Sequence, residues 1–261
     1  MYILSTAWFL VHGNNLTSFC YNRLPYSSSN LVEILPRLYQ LRKLDIQVDA
    51  RVDLAFSSTV LPNLDTLALQ QVTYGQIQGL QHLILPALAN LKLIDFWDSR
   101  LLTVLEQSRC SLKQFAWKSD DIDLQPFRQL LEVSPTLEEV TLIVVSCGWR
   151  WCSSVRELIP LFTCRPDTEV LLPNLQLIDI SASCYKEWPQ DDILLAMVES
   201  RIAHRKGLVV HLPYVELDDA VKQRVDNLQK RGCTLNLKHT LEYEYMKLSS
   251  DHLYSIETNY P

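Results

Sequence analysis

Asn63-Leu64-Asp65-Thr66-Leu67-Ala68-Leu69 returns as Asn90-Leu91-Lys92-Leu93-Ile94-Asp95-Phe96 and again as Asn174-Leu175-Gln176-Leu177-Ile178-Asp179-Ile180. Each is an apolar-x-x-apolar-x-apolar phrase, and the last two apolar residues, two positions apart, share one face of a strand. A phrase restated along a chain marks an array. It predicts one short strand per unit in a parallel stack, with the outward side chains forming an extended surface.

More degenerate copies run through the chain: Leu16-x-x-Phe19-x-Tyr21, Leu41-x-x-Leu44-x-Ile46, Leu112-x-x-Phe115-x-Trp117 and Leu137-x-x-Val140-x-Leu142. Gly207-x-x-Val210-x-Leu212 and Gly232-x-x-Leu235-x-Leu237 lack the first anchor. Between the middle apolar residues the steps are 25, 23, 27, 21, 25, 38, 32 and 25. Six of these eight fall in the range of leucine-rich repeats, roughly 20 to 29 residues. A register three residues earlier at Leu88-Ala89-Asn90-Leu91 evens out the steps of 27 and 21. The later one is preferred because Asn-Leu-x-Leu-Ile-Asp recurs at Asn174. The expected fold is an α/β leucine-rich-repeat solenoid, with a curved parallel sheet on the concave side and helices and loops on the convex side. About nine units over 16–238 follow an edge segment, 1–15, and precede a tail, 239–261, with insertions near 143–170 and 181–192.

Helices are expected between strands. Asn30 can cap Leu31 to Leu38, Asp123 can cap Leu124 to Val133, and Asp191 or Asp192 sits in the first turn of a helix running to His204. Ile193, Leu194, Met197, Val198 and Ile202 form one apolar stripe there, as Val221, Val225 and Leu228 do in the next helix. The stretch from Ile46 to Leu61 reads as a loop or one short turn. One such unit cannot hide its own leucines, so stability comes from stacking, at about 25 cal/mol per Å² of apolar surface covered.

With 24 basic and 30 acidic residues and a net charge of −6, the chain has no clustered Lys and Arg of the kind that phosphate backbones need. A nucleic-acid partner is not expected. Neither is a membrane, since no apolar run approaches about 18 residues. The apolar opening from Tyr2 to Val11 lacks a basic n-region and does not read as a secretory signal. The seven cysteines are odd in number and contain no C-x-x-C pair, which suits reduced thiols in an intracellular protein, cytoplasmic or nuclear. Cys147, Cys152 and Cys164 share the first insertion, and Cys233 reads as a small buried residue at a turn.

No nucleophile elbow, H-E-x-x-H pair or phosphate-cradling loop occurs, and the six histidines are scattered singly. The acids at Asp120, Asp121 and Asp123 suit a helix N-terminus. No enzyme, cofactor or metal site is expected.

Leu172-Pro173-Asn174-Leu175, Ile178-Asp179-Ile180 and the helix containing Glu199-Ser200-Arg201, followed by Gly207-x-x-Val210-x-Leu212, resemble the C-terminal half of F-box proteins with divergent leucine-rich repeats, numerous in mushroom-forming fungi. The resemblance covers roughly residues 16 to 238. It implies a non-catalytic module that recognises a protein client of a ubiquitin ligase. The F-box itself, which docks the Skp adaptor, has no counterpart: Leu31-Val32-Glu33-Ile34-Leu35-Pro36 is similar to its opening, but the next repeat strand leaves no room. A Skp partner is therefore expected only if an F-box is encoded upstream. The alternative is a repeat scaffold or sensor array unrelated to ubiquitin ligation.

Flanking the strand anchors, Lys43, Asp45, Thr66, Gln70, Asp95, Trp97, Lys118, Glu139, Thr141, Asp179 and His211 are expected to face outward, each one open to the plainer role of a solvated sheet residue. Their mixture of charge signs with a tryptophan suits a protein partner. Trp149-Arg150-Trp151 in the first insertion has the composition of a binding hot spot. Alternation also puts both indoles on one face, where they can cover the edge of the core.

Overall fold

The computed structural model describes residues 15–21, 34–48, 54–55, 58–71, 77–119, 122–144, 157–164, 170–182, 191–205, 207–213 and 219–238. The protein is α/β, and it divides into two compact units between Leu112 and Lys113. The first holds β1 (Ser18–Tyr21), β2 (Lys43–Val48), β3 (Leu54–Ala55), β4 (Thr59–Val60), β5 (Thr66–Gln71), β6 (Ile77–Gln78), β7 (Leu83–Ile84) and β8 (Asn90–Ile94). There β1, β2, β5 and β8 lie side by side in parallel and in chain order, while β3 pairs with β6 and β4 with β7. The second unit holds β9 (Gln114–Ser119), β10 (Glu139–Val144), β11 (Leu177–Ala182), β12 (Val209–Pro213) and β13 (Thr234–Lys238), again parallel and in chain order.

Register is set at the first residues of β2, β5, β8, β10 and β11. One carbonyl receives two successive amides of the next strand: Thr17 O accepts from Arg42 N and Lys43 N at 2.8 and 3.0 Å, Arg42 O from Asp65 and Thr66, and Asp65 O from Ala89 and Asn90. In the second unit Lys113 O accepts from Glu138 and Glu139, and Glu138 O from Gln176 and Leu177. Just before these points the chain makes a turn in which Leu41 N donates to Leu38 O, Leu64 N to Leu61 O, Leu88 N to Leu85 O, Leu137 N to Ser134 O and Leu175 N to Leu172 O. In four of these repeats the apolar phrase is therefore one leucine longer than the quoted one, at Leu38, Leu61, Leu85 and Leu172, while Ser134 takes that place before Leu137. In Leu61-Leu64-Leu67-Leu69, Leu85-Leu88-Leu91-Leu93 and Leu172-Leu175-Ile178-Ile180, no anchor is more than 2% exposed. Such complete burial makes these leucines the core rather than its border.

The pairing corrects the preferred register at β8. Leu67 lies opposite Leu91 and Leu69 opposite Leu93, so the earlier of the two readings is the real one. Ile94 and Phe96 are also buried, at 7% and 3%, so two apolar phrases overlap and apolarity alone does not separate them. The Leu85 to Leu88 turn and the left-handed Asp95 (φ 47°) mark the true start and end of the strand.

Helices occupy several connections: α1 (Arg100–Ser108), α2 (Leu124–Val133), α3 (Asp191–His204) and α4 (Asp219–Lys230), with a further helical stretch at 157–162. The expected span and cap of α2 are both found, with Asp123 Oδ1 accepting from Gln125 N–H at 3.1 Å. In α1 the buried Leu101, Val104, Leu105 and Ser108 have i, i+3, i+4, i+7 spacing, and Ser108 Oγ accepts from Leu85 N–H at 2.8 Å. The helix expected from Leu31 lies partly outside the described residues; its described end is a 3-10 turn, Leu35–Arg37. The stretch read as a loop before Leu61 contains β3 and β4, which at two residues each are too short to show a period of two.

In the second unit the Phe127 ring of α2 packs tilted against Phe115 and Trp117, at 6.0 and 6.1 Å, and edge-on against Phe162 at 6.1 Å, centroid to centroid, joining helix, strand and the 157–162 stretch. α4 ends in a Schellman turn. Cys233 N–H donates to Leu228 O and Gly232 N–H to Gln229 O, with Gly232 at φ 93°, a conformation in which a Cβ is strained. Cys233 and Leu228 are both buried, the apolar contact that accompanies this motif. That is why β13's phrase begins with glycine: a helix stop occupies the place of the first anchor.

Candidate functional site

Parallel, in-register strands line up their side chains in rows across the sheet. The rows that point away from the leucine core are the places where a partner can be met. In the first unit one row is Ser18, Lys43, Thr66 and Asn90, the next Cys20, Asp45, Ala68 and Lys92, and the third Gln47, Gln70 and Ile94. Lys43 and Cys20 are exposed, whereas Asp45, Thr66, Gln70, Asn90 and Lys92 are half-buried. Thr66 Oγ1 donates to Asp65 Oδ1 at 2.6 Å and accepts from Asn90 Nδ2 at 3.3 Å, fixing the first row.

In the second unit the rows are Gln114, Glu139, Leu177, Val209 and Thr234; Ala116, Thr141, Asp179, His211 and Asn236; and Lys118, Ile143 and Ser181. Gln114 Nε2 donates to Glu139 Oε2 at 3.0 Å. Asp179 is buried, 6% exposed, with its Oδ2 3.3 Å from His211 Nδ1 and its Oδ1 3.5 Å from Ser181 Oγ. Glu139, Thr141, Lys118 and His211 are half-buried, and Ile143 is buried on this same face.

Nine of the expected outward residues thus occupy outer rows: Lys43, Asp45, Thr66 and Gln70 in the first unit, and Lys118, Glu139, Thr141, Asp179 and His211 in the second. Asp95 and Trp97 do not. They follow the last residue of β8, because the strand sits three residues earlier than the preferred register placed it. Asn90 and Lys92 take the row positions instead, and the even spacing of steps was the signal that pointed to them. Trp149, Arg150 and Trp151 lie outside the described residues, as do Cys147 and Cys152.

Chemically, the Asp179 carboxylate gathers a hydroxyl and an imidazole. Both Ser181 and His211 address the carboxylate, whereas an activated serine has the imidazole next to its own hydroxyl. Among the described residues no group of three or more His, Cys, Asp or Glu could hold a metal ion, and no helix is long and apolar enough to cross a membrane. Burial pushes the Cys233 thiol up to about 11 and raises that of Cys110, so neither is a ready nucleophile near neutrality.

A second constellation centres on α3, where the apolar spacing of Leu194, Met197 and Val198 continues to a charged residue, Arg201. Its side chain is 5% exposed. The guanidinium donates from Nε to Phe162 O at 2.5 Å, from Nη1 to Leu172 O at 2.8 Å and from Nη2 to Leu171 O at 2.6 Å. Burial pulls its pKa below the usual arginine value, and the nearby Cys164 opposes that shift. Beside it, Ser200 Oγ accepts from Cys164 N–H and donates to Met197 O, and Glu199 receives Arg224 Nη2 of α4 at 3.1 Å. Arg224 also reaches Asp192.

Compared with known protein families and with curated proteins, the chain matches none of them.

Proposed function

We propose that the chain is a leucine-rich-repeat solenoid serving as a non-catalytic protein-interaction module, of the kind that recognises clients for an F-box ubiquitin ligase. The observation that carries this reading is the recurrence of one turn, one doubly accepting carbonyl and one strand, with buried leucines inward and rows of mixed polar and apolar residues outward. Rows of Lys, Asp, Glu, Thr, Gln and His held at strand spacing offer a rigid, mixed-charge surface, which favours a specific protein partner over a polyanion. The client is a folded or extended protein inside the cell, and the Skp adaptor joins only through an F-box encoded upstream.

Affinity capture with tagged protein, read by mass spectrometry, tests this. A client should be enriched by the native chain and lost in Gln70→Arg or Thr141→Arg, whose melting temperatures stay close to the parent's. Undiminished capture by both variants, or turnover in a broad hydrolase screen, contradicts the reading.

A further inference from the structure

We infer that the accessible part of the second unit's outer face takes a cationic side chain, Lys or Arg, of an extended client segment, seated on Leu177 and Val209 beside Glu139, Asp179 and His211. The inference rests on the reading of the chain as a protein-interaction module and names the chemistry of its partner. In the third outer row Ile143 and Ser181 are buried, whereas the first two rows are exposed or half-buried everywhere but at Asp179. Those two rows hold ten side chains, two of them carboxylates and none Lys or Arg, a charge of −2 with the imidazole neutral. Lys118 and Lys238 take register positions one row further on, in β9 and β13, the first and last strands of the unit. The matching two rows of the first unit hold two lysines, Lys43 and Lys92, against Asp45, a charge of +1. Sign, and not polarity alone, sets the second face apart.

Leu177 lies opposite Val209 and, two residues on, Asp179 lies opposite His211, so an apolar pair and a polar pair form one block of four across β11 and β12. Glu139 flanks the block from β10, opposite Leu177, and strand spacing puts Glu139 and Asp179 roughly 8 Å apart, Cα to Cα. Leu177 and Val209 are half-buried, the kind of apolar surface on which the aliphatic stem of Lys or Arg lies while its charged head reaches past it. Three of the groups around that position present acceptors. Glu139 Oε2 takes the Gln114 amide, and its Oε1 bonds to no described residue. Asp179 is fixed between Ser181 and His211. A neutral imidazole that donates from Nδ1 to the carboxylate leaves Nε2 as an acceptor, here on a side chain 20% exposed. Near the strand starts the cations Lys113 and Arg205 are engaged elsewhere, Lys113 with Glu138 at 3.2 Å and Arg205 with Asn174 O at 2.7 Å. A carboxylate held in place before the partner arrives costs little ordering on binding. A phosphate or an acidic peptide would meet like charge there.

Fluorescence anisotropy of a short labelled peptide alternating Arg and Ser, titrated with the full chain at low salt, tests this against a peptide alternating Glu and Ser. The arginine peptide should bind and the glutamate peptide should not. Glu139→Lys should weaken the arginine peptide by at least about tenfold. Glu139→Gln, which keeps an acceptor for Gln114, should weaken it by about threefold, at an unchanged melting temperature. Glu132→Lys changes net charge as much as Glu139→Lys but lies exposed on α2, so it should bind as the parent does. Failure of the arginine peptide to bind, binding of both peptides, equal loss in Glu132→Lys and Glu139→Lys, or undiminished binding by Glu139→Gln overturns the inference; if Glu139→Lys does not fold, Glu139→Gln decides. A client captured equally by the native chain and by Glu139→Lys also overturns it, while leaving the interaction reading in place. Absence of any captured client contradicts that reading instead, and the peptide titration still decides the preference for a cation.

Discussion

Asp179 and His211 face each other across β11 and β12 at one register position, Oδ2 to Nδ1 3.3 Å apart, with the carboxylate buried on the side of the sheet away from the leucine core. A buried carboxylate is stable only when it is bonded, so this pair holds the middle outer row of the second unit in a defined arrangement.

The pair should therefore be coupled. Asp179→Ala and His211→Ala should each lower stability, and the double variant should lose less than the sum. A coupling of about 0.5–1.5 kcal/mol in a urea-unfolding cycle is expected. Strict additivity would mean that the two side chains do not depend on each other.

Leu67 is fully buried and Gln70, three residues on, is half-buried in an outer row. Leu67→Asp should cost several kcal/mol and unfold its neighbours with it, because it places a charge among apolar anchors. Gln70→Asp should shift stability by no more than about 0.5 kcal/mol. Leu93→Asp should be as damaging as Leu67→Asp, because Leu93 lies opposite Leu69 and is fully buried. A mild effect at Leu93 would restore the other register at β8, which turns that side chain outward.

Asp123 caps α2 through Gln125 N–H. Asp123→Ala should cost about 1 kcal/mol, and Asp123→Ser should recover most of it, since a hydroxyl accepts the same bond. Thermal melts of the three proteins provide the comparison.

The Cys233 thiol is raised by burial from 9.0 to about 11. The folded protein therefore holds this proton more tightly than the unfolded chain. Its contribution to stability is complete below pH 9 and is lost as the pH climbs to about 11, because the unfolded chain deprotonates first. Cys233→Ala should show a shallower loss of stability across that window than the parent protein.

What could be read from residue order divides along physical lines. The α2 cap and span, the end of α3 at His204 and the buried face of α4 were legible because each has a local cause: an N-cap carboxylate, a helical period, a glycine stop. The α1 stripe of Leu101, Val104 and Leu105 is written in the same code. The β8 register was not legible from its own phrase, because Ile94 and Phe96 are as apolar as Leu91 and Leu93; a hydrogen bond between Leu88 and Leu85 decides it. The outer rows followed from alternation once the register was right. Arg201 was visible only as part of a motif, since composition does not show that three carbonyls converge on it.

The doubly accepting carbonyls have a consequence for how such a chain changes over generations. Within each compact unit, β2, β5, β8, β10 and β11 are aligned at their first residues by the strand before them, and the residues of the connection make none of those bonds. Closing a longer connection costs only about 0.6 kcal/mol per doubling. Lineages can therefore lengthen or trim these connections without shifting a single side chain between rows, as the long passage from Val144 to Leu172 already illustrates: Glu138 O still receives Gln176 and Leu177 just as Lys113 O receives Glu138 and Glu139. New contact surface can be added at the loops while the rows stay in place.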